Sequence, residues 1–149
     1  MQDTEFKIAL PSQYGVVWVF VIMAGLILPV LLIPVVAISG YTEVVEEVAK
    51  ALVVLFLILK LPSTKERLLA GVIFGFLFGL SESMFYLTTI FHIGDFGIFW
   101  QRFLFTVPMH ITTVLILVSS GLTKKKFLFF GFAGALALHL LFNYSIINF

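Results

Sequence analysis

At 149 residues, 61% of them hydrophobic, 16% aromatic and only 11% charged, the chain carries more apolar surface than a soluble domain of this size can bury. Its mean hydropathy of +1.16 makes lipid the natural solvent for that surface. A net charge of +1 excludes a nucleic-acid partner recognised through charge excess. The absence of cysteine excludes disulfides, thiolate metal sites and a cysteine nucleophile.

A hydrocarbon layer of about 30 Å calls for roughly 20 apolar residues of helix. The chain begins with a polar stretch of mixed charge up to Tyr14, unlike the compact basic start of a signal peptide. The first apolar run, 16–38, is too long for a signal sequence and is read as a permanent span. Pro29 and Pro34 kink it, which membrane helices tolerate when neighbours re-satisfy the freed carbonyls. The second run, 44–61, is the shortest and carries charges at its start; the others are 68–91, 98–120 and 127–147. Short connections with no low-complexity linker make 1–149 a single transmembrane domain. The expected fold is all-α, a polytopic membrane bundle of about five transmembrane helices.

On the third run, Gly71, Gly75 and Gly79 form a small-residue stripe, suited to packing between spans or to a homodimer. Lys60, Lys65 and Arg67 lie between runs two and three, and Lys124, Lys125 and Lys126 between four and five. Lys7 falls on the same side, whereas the opposite loops, 39–43 and 92–97, hold no lysine or arginine. The expected orientation is therefore N-terminus cytoplasmic and C-terminus extracytoplasmic.

An ionisable side chain inside a span is costly and marks a functional candidate with a partner. The candidates are Glu46, Glu47 and Lys50 on the second run, Glu82 on the third, Arg102 and His110 on the fourth, and His139 with Asn143 on the fifth. At about 1.5 Å of rise per residue, Glu82 lies roughly 14 Å from its outer end, and His110 and His139 lie at similar depth. The polar groups thus converge in the outer half of the membrane. Each has a plainer reading. Glu43, Glu46 and Glu47 complement a helix dipole, Lys50 pairs with a glutamate one turn away, His139 and Asn143 hydrogen-bond across helices, and Arg102 snorkels.

Taken together the set suits acid–base catalysis, in which a glutamate takes a proton from water and a histidine or second carboxyl returns it to a leaving amine. A His/Asn pair can steady an oxyanion. No G-x-S-x-G or H-E-x-x-H pattern is present. Glu46 or Glu47 with His110 and His139 could alternatively supply three ligands to a catalytic zinc.

At these residues the chain resembles the CAAX-protease and bacteriocin-processing superfamily of membrane proteins, above all its PrsW branch. The matching segments are Glu46-Glu47-Val48-Ala49-Lys50, Phe78-x-x-x-Glu82, Arg102 through His110, and His139-x-x-x-Asn143, in order on successive runs. The resemblance implies an intramembrane endopeptidase that cleaves membrane-anchored, single-span proteins, glutamate-type in preference to metal-dependent, with no cofactor or else zinc. It casts Glu46 as the base helped by Glu82 or His110, Glu47 and Lys50 as a supporting pair, and His139 with Asn143 at the oxyanion. Glu82 stands where the prenyl endopeptidases have histidine, which favours a PrsW-like role. A non-catalytic scaffold or binding subunit of the same superfamily is the second reading. A proton-coupled transporter is the third, disfavoured by the lack of an inverted repeat.

Overall fold

The computed structural model describes residues 12–93 and 96–147. Among them it holds five α-helices and no strand: α1 (Ser12–Ser39), α2 (Thr42–Lys60), α3 (Thr64–Ile93), α4 (Phe96–Thr123) and α5 (Leu128–Ile147), the last entered through a short 3₁₀ turn at Lys125–Phe127. The all-α bundle is as expected.

The helix ends follow from local chemistry. Gly40 closes α1 in the left-handed conformation, at φ +74°, and its N–H donates to Val36 O at 2.8 Å. Leu61 leaves α2 in an extended conformation, as the Pro62 after it favours. Ser63 and Glu66 cap α3 reciprocally: Glu66 N–H donates to Ser63 Oγ at 3.2 Å and Ser63 N–H to Glu66 Oε2 at 3.3 Å.

Four helical segments are long and apolar enough to cross a membrane: Tyr14–Ser39, Thr64–Phe85, Phe103–Thr123 and Leu128–Ser145. The second expected span, now α2, is not among them. Its 19 residues suffice in length, but they include Glu43, Glu46, Glu47, Lys50 and Lys60. Lipid could not solvate that helix alone. It packs against all four of the others, and its buried stripe begins with Glu46, Glu47 and Lys50 and ends with Val53, Val54, Leu57 and Ile58. One end of the bundle interior is therefore polar. The other is an apolar core in which those α2 residues meet Ala70 and Phe74 of α3, Val114, Leu117 and Val118 of α4, and Ala135 of α5. The outer surface is rich in large apolar side chains, among them Leu31, Leu104, Phe129 and Leu141, as a lipid-facing surface should be.

The glycine stripe is spent inside the molecule, between α3 and α4. A Cβ at Gly75 would lie 2.8 Å from Ile111 Cα, and one at Gly79 would lie 2.9 Å from Val107 Cα. The homodimer expectation drew on this same face, which α4 covers. On the other side of α3, Gly25 of α1 packs against Leu77, and Ser81 Oγ donates to Leu26 O at 2.7 Å, in the turn before Pro29. A hydroxyl from a neighbouring helix thus adds a hydrogen bond to the turn that precedes Pro29.

Candidate active site

Four helices bring ionisable groups to one level of the bundle. Glu46, Glu47 and Lys50 come from α2, Glu82 from α3, His110 from α4 and His139 from α5. Glu47, Lys50 and His110 are fully buried, and His139 and Glu46 nearly so.

The two adjacent glutamates face different partners, as their 100° separation on a helix requires. Glu47 Oε1 receives Lys50 Nζ at 2.7 Å and faces His139 Nδ1 at 2.9 Å. Lys50 Nζ also stands 3.9 Å from Glu46 Oε2 and 4.7 Å above the centre of the Phe78 ring. A buried ammonium is tolerable only with such compensation. Both glutamates have a buried Oε2 without a hydrogen-bond partner, but Glu47 is tied through Oε1 to Lys50 and His139, whereas Glu46 Oε2 only approaches His139 Nε2, at 4.0 Å.

Glu82 and His110 form the second pair, Nε2 of the ring on Oε2 of the carboxylate. The Phe78 ring lies one turn before Glu82 and packs on His110 with centroids 5.0 Å apart. The aromatic residue of the Phe-x-x-x-Glu segment thus touches both Lys50 and His110, and holds the two pairs apart and in place. Gly79 makes room for this, because a Cβ there would come 3.1 Å from His110 Cδ2. His110 and His139 meet edge to face at 5.4 Å.

Tautomers constrain the chemistry. With Nδ1–H donated to the Glu47 carboxylate, a neutral His139 presents only a lone pair at Nε2 and donates from there only as imidazolium. His110 Nδ1 is buried without a partner. A bare lone pair there costs less than an orphaned N–H, so the favoured neutral form of His110 carries its proton on Nε2, toward Glu82.

A cleft of about 410 Å³ reaches this cluster between α1, α2 and α3. Glu46 and Glu82 supply its acidic lining, with Thr42, Phe85 and the α1 residues Pro29, Leu32, Ile33, Val36 and Ala37 around them. The side chain of Arg102 lies outside the described residues. Asn143 is joined to α2 by another route: its Nδ2 donates to Glu43 Oε1 at 2.8 Å. Glu43, read from the sequence only as a complement to the helix dipole, is thus a partner of a candidate site residue. The matching four-residue intervals Glu43–Glu47 and His139–Asn143 were the available sign.

The donor set also fits a divalent metal. Glu46, Glu82 and His110 each place one ligand atom within 4.8 Å of the other two, and the unpartnered Glu46 Oε2 is among the atoms that could serve. The sequence alternative had His139 in place of Glu82. In the structure His139 Nε2 faces Glu46 from beside this group.

The family model of the PrsW family intramembrane metalloproteases matches residues 15–149. The chain belongs to the PrsW family. It is therefore an integral membrane protein of a family that hydrolyses peptide bonds within the membrane. No curated protein and no solved structure matches the chain. The four motif segments lie within the matched range, so the cluster is built from residues that the family likeness spans.

Proposed function

We propose that the chain cleaves membrane-anchored, single-span proteins in the cleft where Glu46 faces Glu82, with Glu46 as the general base. The observation that carries this reading is the buried, unpartnered Oε2 of Glu46 opposite the Glu82–His110 pair. Glu46 takes a proton from water as the oxygen attacks the scissile carbonyl carbon. The tetrahedral oxyanion forms beside His139, which stabilises it from Nε2 as imidazolium while Glu47 holds Nδ1. When the C–N bond breaks, the Glu82–His110 pair delivers a proton to the leaving amine, and the proton on Glu46 restores the pair. One water is consumed. The low-dielectric surroundings strengthen each of these interactions relative to water.

A metal ion, as the family description implies, would be held by Glu46, Glu82 and His110, a donor set that suits zinc. Bound there it would supply Lewis-acid activation of water and of the carbonyl. Chelation followed by zinc re-addition, with metal content measured alongside, separates the two readings. Cleavage that survives chelation supports the glutamate-type reaction, and cleavage that tracks zinc content supports the metal.

The same reading takes 1–149 as one domain, places the chain with the wider CAAX-protease superfamily through its four motifs, and puts the cluster in the outer half of the bilayer. The orientation rests on the basic residues at the α2–α3 and α4–α5 connections, against loops without lysine or arginine at the other end. The expected substrates present their scissile segment near the extracytoplasmic surface. Failure of wild-type protein to yield any product would turn the reading to a scaffold.

A further inference from the structure

We infer that Glu43 is a positioning residue for the reaction, and that with Asn143 it forms an outer rung that holds His139 in register against Glu47 and Glu46. The inference rests on the protease reading above and extends it to a residue outside the four motif segments.

Two polar rungs join α2 to α5: Glu43 to Asn143 at 2.8 Å and Glu47 to His139 at 2.9 Å. On each helix the paired residues are four apart, so they share a face one turn above one another. The order rises along α2 and falls along α5, as antiparallel neighbours require. A glutamate in a first helical turn would meet the dipole whichever way it pointed. Glu43 instead accepts a hydrogen bond from the one amide that shares a helix face with His139.

This matters because α5 packs chiefly on α4, and the inner rung is the closer of its two polar ties to the site on α2 and is itself divided. Glu47 Oε1 is shared between His139 and Lys50, and α5 is bare of other ion pairs to α2 among the described residues apart from the 4.0 Å approach of His139 to Glu46. A slide or roll of α5 by a fraction of a turn would carry Nε2 of His139 away from Glu46. A charge-assisted hydrogen bond one turn outward resists both movements. Asn143 therefore acts through His139, and the amide hydrogen it gives to Glu43 serves alignment and not the oxyanion.

The test uses full-length protein in proteoliposomes, with Glu43→Ala, Glu43→Gln, Asn143→Ala and the double Glu43→Ala/Asn143→Ala. For a cleavable membrane-anchored reporter, each alanine variant should lower kcat by about 10–100-fold, the usual effect of losing an outer-shell partner, with KM within about twofold. Glu43→Gln keeps an acceptor oxygen and should retain most of the activity. The double variant should fall no further than the worse single, since both remove one interaction. A second readout needs no substrate: carbethoxylation of histidines by diethyl pyrocarbonate, followed by mass spectrometry. His139 should react severalfold faster in the alanine variants and at the wild-type rate in Glu43→Gln, while His110 stays protected in all. Unchanged protection of His139, equal loosening of His110, or losses that multiply in the double variant would overturn the inference. Should wild type cleave no reporter, the protease reading fails and His139 protection still decides the rung.

Discussion

His139 touches both glutamates of the Glu46–Glu47 pair, through opposite sides of its ring: Nδ1 lies 2.9 Å from Glu47 Oε1 and Nε2 lies 4.0 Å from Glu46 Oε2. The imidazole thereby gives two chemically identical neighbours different surroundings, and in the proposed reaction Glu47 is the structural carboxylate and Glu46 the reactive one. Glu47, bound to Lys50 as well, is committed to holding the site together. Glu46 lines the cleft, and its buried Oε2 has no hydrogen-bond partner.

That division predicts different consequences for the two glutamates. Glu47→Gln leaves the buried Lys50 ammonium against a neutral amide, and breaking a buried pair on one side costs about 3–5 kcal/mol. The variant should unfold at markedly lower temperature in detergent. Adding Lys50→Met should recover part of that loss without recovering cleavage. Thermal unfolding followed by circular dichroism checks both, and a Glu47→Gln protein as stable as wild type would contradict the structural role.

The closeness of α3 and α4 makes a second prediction. Gly79→Ala drives a methyl toward Val107 Cα and the His110 ring, at 2.9 and 3.1 Å respectively. Overpacking of this kind costs about 1–3 kcal/mol, and displacement of His110 from Glu82 should lower cleavage at least about tenfold, given the sensitivity of rate to alignment. Gly134→Ala is the control: its nearest neighbour, Ile116 Cγ2, would be 3.7 Å away, an ordinary contact, so stability and activity should stay close to wild type.

Ser81→Ala removes the hydroxyl that donates from α3 to Leu26 O of α1, in the turn before Pro29. Net loss of such a bond costs about 0.5–1.5 kcal/mol. The variant should show a modest fall in unfolding temperature together with faster proteolysis of α1 from added protease. A Ser81→Thr protein, able to make the same bond, should restore both measurements.

The apolar runs made the helices legible in the sequence, because four of them are long and strongly apolar and the second is apolar through its C-terminal half. The gathering of the polar residues was legible in part: counting rise per residue set Glu82, His110 and His139 level with one another but Glu46 nearer the outer boundary, and in the structure Glu46 stands close to the other three. Azimuth was not. Nothing in a linear sequence says which way a side chain faces around its helix once three neighbours compete for it. The pairing of Asn143 with Glu43, the seat of Phe78 between Lys50 and His110, and the covering of the glycine stripe by α4 all depend on that angle. The status of α2 escaped for a related reason. Its apolar C-terminal half reads as a span, and only its enclosure by all four other helices explains how its charged half is accommodated.

The central claim is that peptide-bond cleavage depends on the carboxylates that face each other across the cleft. Its most direct test reconstitutes wild type, Glu46→Gln and Glu82→Gln with a single-span reporter and maps the product termini by mass spectrometry. The account predicts a discrete product, cut within or beside the membrane segment, from wild type alone, with both variants folded and at least about 1,000-fold slower. A Glu46→Gln protein that yields the same product at the wild-type rate would contradict it.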